Sequence, residues 1–119
     1  MILEGDSDII QQCQWHEEKR LQYLTFRNGS VLVISENALA FYKNEAAIND
    51  PLGNGLLEMV ELTEPLVFGD QGFVTEFRAG FVGLVNEMAI LITPNDIQLF
   101  PNKESALRNQ NEIARLKLS

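Results

Sequence analysis

Apolar and polar positions along residues 80–100, GFVGLVNEMAILITPNDIQLF, fall into short runs separated by turn residues, which predicts antiparallel strands. Asn86-Glu87 divides the first two runs and Pro94-Asn95 the second from the third, so the stretch reads as a meander. The same pattern stands 58 residues earlier, in QYLTFRNGSVLVISENALAFY at 22–42. At that offset Val82 falls on Leu24, Leu84 on Phe26, Asn86 on Asn28, and Ile97 and Leu99 on Leu39 and Phe41. Each copy then enters a short polar segment containing alanine, EAAIND or KESALRN. Similar residue classes held over roughly 20 positions predict an internal duplication. Its units lie at about 13–50 and 71–108 of a single domain spanning 1–119.

Within the first copy, Leu24 and Phe26 alternate with Thr25 and Arg27. Asn28-Gly29 then predicts a two-residue type I′ hairpin, because both residues tolerate positive φ. The run Val31-Leu32-Val33-Ile34 is apolar throughout, as a strand covered on both faces requires. Residues 45–50 suit one helical turn, and Pro51-Leu52-Gly53-Asn54-Gly55 is a break. LLEMVEL at 56–62 fits a strand or two helical turns, and the flanking Pro and Gly favour the strand. Gly80 and Gly83 in the second copy point to a bulge or a close backbone approach.

The two ends of the chain read as helices. In residues 7–20 an N-cap candidate at Asp6 or Ser7 precedes Ile9, Cys13 and His16 at helical spacing, and Lys19-Arg20 closes the segment, although the 58-residue offset lays Trp15 and Arg20 over Phe73 and Arg78 and so allows a strand in its second half. In residues 103–117 Asn102 is a good N-cap, and Ala106, Leu107, Gln110, Ile113 and Ala114 make one apolar face. A short helix followed by a strand fits that tail as well, since Ala114, Leu116 and Leu118 alternate with Arg115 and Lys117. The expected class is α+β: an antiparallel sheet of two three-stranded meanders, at about 22–42 and 80–100, packed with N- and C-terminal helices.

Composition narrows the function. A chain of 119 residues that is 45% hydrophobic can bury a sizeable core. No apolar run approaches the roughly 20 residues that cross a bilayer, and the acidic opening MILEGDSD is unlike a signal peptide. A cytoplasmic location is the expectation, and the single Cys13 agrees with it because it cannot form an internal disulfide. With nine basic residues and a formal charge of −8, neither nucleic acid nor an anionic membrane is an expected partner.

Candidate chemistry is sparse. One histidine and one cysteine cannot build a Cys/His zinc site, and no phosphate loop or dinucleotide fingerprint occurs. Neither a metal nor a cofactor is expected, and no catalytic residue stands out. On a helix Cys13 and His16 would share a face, but a buried core pair is the plainer reading. The acidic middle rises above this background: from Asn44 to Phe77 there is no Lys or Arg. Glu58, Glu61, Glu64, Asp70 and Glu76 lie in that span and form a candidate surface for a basic partner. Trp15, Tyr42 and Phe100 are candidate aromatic contacts.

The expected function is therefore a non-catalytic protein-interaction module, an adaptor, subunit or small acidic chaperone. It would hold a basic or amphipathic segment of another protein, with homodimerisation as a further possibility. The alternative is a small ligand-binding domain or enzyme with a carboxylate-lined pocket between sheet and helices. There Glu58, Glu61 or Glu76 would act beside an anion-orienting Arg27 or Arg78.

Overall fold

Period-2 alternation governs nearly the whole chain. The computed structural model describes residues 2–3 and 9–118. The first sheet has six antiparallel strands in sequence order: β1 (Ile2–Leu3), β2 (Ile10–His16), β3 (Leu21–Phe26), β4 (Val31–Ile34), β5 (Ala38–Tyr42) and β6 (Leu56–Glu61). The second has five, running β7 (Val74–Arg78), β8 (Phe81–Leu84), β9 (Ala89–Ile92), β10 (Asp96–Phe100) and β11 (Ala114–Lys117). One α-helix is found among the described residues, α1 (Lys103–Arg108), between β10 and β11. The architecture is all-β, and the expected α+β class is overturned.

The N-terminal helix is absent because residues 10–16 obey the strand period. On β2, Cys13 and Trp15 enter the core, while Gln12, Gln14 and His16 stay only half-buried on the other side. A helix would have put Cys13 and His16 together, whereas pairing with β3 sends them to opposite faces. The predicted caps at Asp6 and Ser7 lie outside the described residues. At the other end, Asn102 caps α1 as expected, its side chain accepting from the Ser105 N–H at 2.8 Å. The helix stops after Arg108 because Asn109 turns left-handed, with φ of 52°. Ala114 and Leu116 then face inward from β11, the strand alternative for that tail.

The two meanders do not share a sheet; they face one another. Leu24, Phe26, Leu32, Ile34, Leu39 and Phe41 of the first sheet form one cluster with Phe77, Val82, Leu84, Ile90, Ile92, Ile97, Leu99 and Leu116 of the second. Each such side chain contributes about 1.5–3 kcal/mol by leaving water. The pairing registers follow the repeat for the middle strands: Leu24 pairs Leu32 as Val82 pairs Ile90, and Leu32 pairs Phe41 as Ile90 pairs Leu99. Even the connections correspond, since a 3-10 turn at Ala46–Asn49 stands where α1 stands in the second sheet. The outer faces are apolar too. Ala89 and Phe100 lie under Ala106 of α1, and Val31 and Val33 cluster with Tyr42 and Ile48.

One local feature departs from expectation and another meets it. At the first hairpin only Gly29 has positive φ, and the Gly29 N–H donates to the Phe26 carbonyl at 3.0 Å. Asn28 instead accepts from the Ser30 N–H at 3.0 Å and hydroxyl at 2.6 Å, so the turn is not type I′. The left-handed pair lies in the other hairpin, at Asn86 and Glu87 with φ of 65° and 64°. Gly80 is required by close approach, since a Cβ there would sit 2.5 Å from the Ile92 carbonyl oxygen.

A buried amide bridges the sheets. Gln22, fully buried on the inward face of β3, accepts from the Phe73 and Val74 N–H groups at 2.7 and 2.9 Å. Its own NH₂ donates to the Cys13 sulfur at 3.1 Å. Gly72 leaves room for it, because a Cβ there would lie 2.6 Å from both Gln22 Oε1 and the Trp15 ring. Removing the amide strands two buried donors. Gln22→Leu is expected to lower unfolding free energy by about 1–3 kcal/mol in urea titrations. Gln98→Leu, whose amide bonds only the exposed Asn109 and Glu112 side chains, is expected to cost less. Equal losses would show that the bridge carries no special weight.

Candidate functional site

The last strand of the first sheet is where unspent chemistry gathers. β6 pairs with β5 on one side and ends the sheet on the other. The Leu62 N–H donates to the Asn37 carbonyl at 2.8 Å, and the register sets Val60 opposite Leu39 and Glu58 opposite Phe41. In an antiparallel ladder the bonded pairs alternate. The backbone groups of Val60 and Glu58 therefore turn toward β5, and those of Met59 and Glu61 turn away from it. A register shift at Phe41/Tyr42 places a bulge beside Leu56 and Leu57, a common feature of edge strands. The Glu58 carboxylate lies 3.3 Å from the Met59 N–H and accepts from it.

The side chains are unusual for an exposed edge. Leu57 is 56% exposed and Met59 48%, with Leu56 at 39% and Leu52 of the preceding turn at 79%. Val60 and Leu62 lean on the core from the inner side, and Glu58 on that same side is half-buried. Glu61 projects outward with Met59, and Glu64 follows in the exposed segment after the strand. The predicted acids are thus only partly brought together. Glu58, Glu61 and Glu64 follow the β6 margin. Asp70 is elsewhere, lining a small hollow with Trp15, Arg20 and Phe68. Glu76 lies on β7, across the second sheet from β11, the strand that touches β6. The ion pairs among the described residues join Arg108 to Glu104 and Arg115 to Asp96 and Glu112. None of the five predicted acids takes part.

The aromatic candidates are differently placed. Phe100 is fully buried beneath α1, and Trp15 is 6% exposed in a cluster with Phe68 and Phe73. Neither presents a face to a partner. Tyr42 is half-buried on the outer face of the first sheet. Nearby, burial first and then Glu45 and Tyr42 hold the Tyr23 phenol above its ordinary pKa. His16 stacks on Tyr23 with ring centres 4.3 Å apart, so it forms no dyad with Cys13 on the opposite face.

The ligand-pocket alternative meets a different geometry, since among the described residues no helical layer covers the core. A cleft of about 340 Å³ opens between the 27–30 turn and residues 92–94, lined by Phe26, Phe41 and Ile92 with Arg27 and Thr93. No carboxylate is among its described lining residues. Acids do meet at a larger hollow of about 530 Å³ beside α1, where Glu76, Glu87 and Glu104 surround Lys103 and Phe81. Lys103 sits 5.3 Å over the Phe81 ring. Among the described residues no group of three or more His, Cys, Asp or Glu is arranged to hold a metal ion. No helix among them is long and apolar enough to cross a membrane. Arg78, the other anion-orienting candidate, is exposed at the end of β7.

No family model matches this chain, and neither a curated protein nor a solved structure resembles it significantly. The geometry alone carries the functional reading. Sequence reasoning missed Leu57 and Met59 as partners of the acids, although the strand reading of LLEMVEL already sets Met59 and Glu61 on one face.

Cys13 gives a direct test of the core around it. Burial pushes its thiol up from 9.0 to about 12, against a smaller lowering by the Gln22 hydrogen bond. A raised pKa means that folding favours the protonated thiol. The stability tied to Cys13 is therefore whole below pH 9.0 and is lost as pH rises toward about 12. At pH 8 a chromogenic disulfide reagent is expected to label the folded protein only at the rate of unfolding, and to label it at once in urea. Immediate labelling of the folded chain would contradict this placement.

Proposed function

We propose that this protein is a non-catalytic interaction module that holds a basic or amphipathic segment of another protein along its β6 margin. One observation carries the reading: Leu57 and Met59 are exposed beside Glu58, Glu61 and Glu64, and none of these acids has a counter-ion among the described residues. Apolar area next to unpaired like charges costs stability and solubility gains alone do not require the leucine and methionine. A partner that supplies apolar contact and positive charge together satisfies both halves of the surface. The stretch from Asn44 to Phe77, with no Lys or Arg, extends that field around the margin. Two copies of a chain of charge −8 repel, so a basic partner suits this margin better than a second copy.

Recovery from the host lysate tests this. A tagged protein is expected to retain one partner at low salt and to release it at high salt. A Glu58→Gln, Glu61→Gln, Glu64→Gln triple variant is expected to bind that partner about tenfold more weakly, as three exposed charge pairs would imply. Its melting temperature should stay close to that of the parent chain. Equal recovery by the variant would reduce the acids to a solubilising surface.

A further inference from the structure

The geometry points to strand addition as the mode of binding: an extended segment of another protein, carrying both basic and apolar residues, joins the first sheet at the free edge of β6. This rests on the function proposed above and specifies how that surface works.

Two backbone observations carry it beyond charge. First, the ladder with β5 uses the Val60 and Leu62 side of β6, as the bond from the Leu62 N–H to the Asn37 carbonyl fixes. The N–H and C=O groups of Met59 and Glu61 then point outward, a ready template for a further strand. Second, the Met59 N–H already has an acceptor from its own neighbour, the Glu58 carboxylate at 3.3 Å. That contact is long for a charge-assisted bond. It stands where the carbonyl of an incoming strand would lie, and an incoming lysine or arginine would draw the carboxylate away from it.

The side chains define what the strand must carry. Added strands continue the pleat of the sheet, so alternate residues fall on alternate faces. Beside Met59, 48% exposed, the occupant needs an apolar residue, and beside Glu61 on the same face a lysine or arginine. On the opposite face it meets Glu58 and needs lysine or arginine. A second copy fits poorly, because β6 against β6 brings Glu58 and Glu61 of both chains to one seam between two molecules of charge −8.

The test uses the full chain labelled for amide detection and a capped synthetic peptide of about seven residues made of lysine and valine, a typical strand length. In the free protein the Met59 and Glu61 amides are expected to exchange faster than those of Val60 and Leu62. With peptide at low salt, the Met59 and Glu61 amides should slow at least about tenfold. Two peptides N-methylated on alternate residues, one set for each edge of the strand, should then differ at least about tenfold in affinity. A peptide that binds in a salt-dependent way while both methylated forms bind alike would overturn strand addition and leave the acidic surface standing. No peptide binding at low salt would overturn the mode as well, and recovery of an acid-dependent partner from lysate would then show that the broader function survives it. A concentration-dependent dimer that protects the same amides without peptide would replace the proposed occupant with a second copy.

Discussion

Mutual burial of two sheet faces is the constraint on which this protein depends. Each meander alternates side chains, so each sheet carries one face that has to leave water, and among the described residues no helix lies against either inward face. The other sheet is therefore the cover. Leu24 and Phe26 need Val82 and Leu84 as much as the reverse, and neither half of the chain has another place to put them. This explains why a polar residue is tolerated at the centre. Gln22 sits on the inward face of β3, where an apolar residue would be expected, and links that sheet to the start of β7 through two backbone N–H groups. The bridge lies on the β2 side, while β6 and β11 approach directly on the other. One margin is joined by hydrogen bonds and the other by packing.

What happens on the outer faces follows from the same repeat. Both sheets are apolar outside as well as inside, as the unbroken runs Val31–Ile34 and Ala89–Ile92 require. The segment after the third strand of each meander supplies the lid. In the second sheet it forms α1, which lays Ala106 on Phe100 and Ala89. In the first it is a single 3-10 turn, which brings Ile48 to the Val31 and Val33 cluster and stops there. A shorter lid leaves more of its sheet bare, and Met59 and Leu57 lie at that bare end.

The meanders were legible because they are local: turn residues and period-2 alternation sit within a few positions of each other, in two copies. The strand at 56–62 and the helical turn at 45–50 were legible for the same reason. The terminal segments were not, because their sequences satisfy two periods at once. Ile9, Cys13 and His16 match a helix, yet Cys13 and Trp15 match a strand, and only the unfilled edge of β3 decides between them. In the tail, Ala106 through Ala114 continues a helical face on paper, and Asn109 breaks it by adopting left-handed backbone. The sheet partnership was beyond local reading as well. Nothing in the repeat distinguishes two meanders joined edge to edge from two stacked face to face. The candidate acids were visible as a charge-biased stretch, but their sorting between the β6 margin, the Asp70 hollow and β7 depends on that stacking.

The four sheet margins bear on why one of them should bind. β11 carries Arg115 outward, and that guanidinium is already engaged by Glu112 and Asp96. Its hydrogen bond to Glu112, ahead of a smaller opposing effect of burial, holds the Glu112 carboxyl below its ordinary pKa. β7 alternates Glu76 and Arg78 at its exposed positions, a mixed pattern that discourages pairing with any one kind of strand. β2 is covered by β1. β6 differs from β7 because its exposed groups are apolar or acidic, and from β11, whose exposed Arg115 and Lys117 are also of one sign, because it sets large apolar side chains beside acids that form no ion pair among the described residues. Edge strands that only need protection gain most from lysine, proline or mixed charge. Methionine and leucine among unpaired glutamates protect against self-association through charge, and they leave the same edge open to a basic strand. On the binding mode proposed above, a margin built this way would reject its own copies and accept an opposite charge, which is selection by electrostatics laid over a sequence-tolerant backbone template.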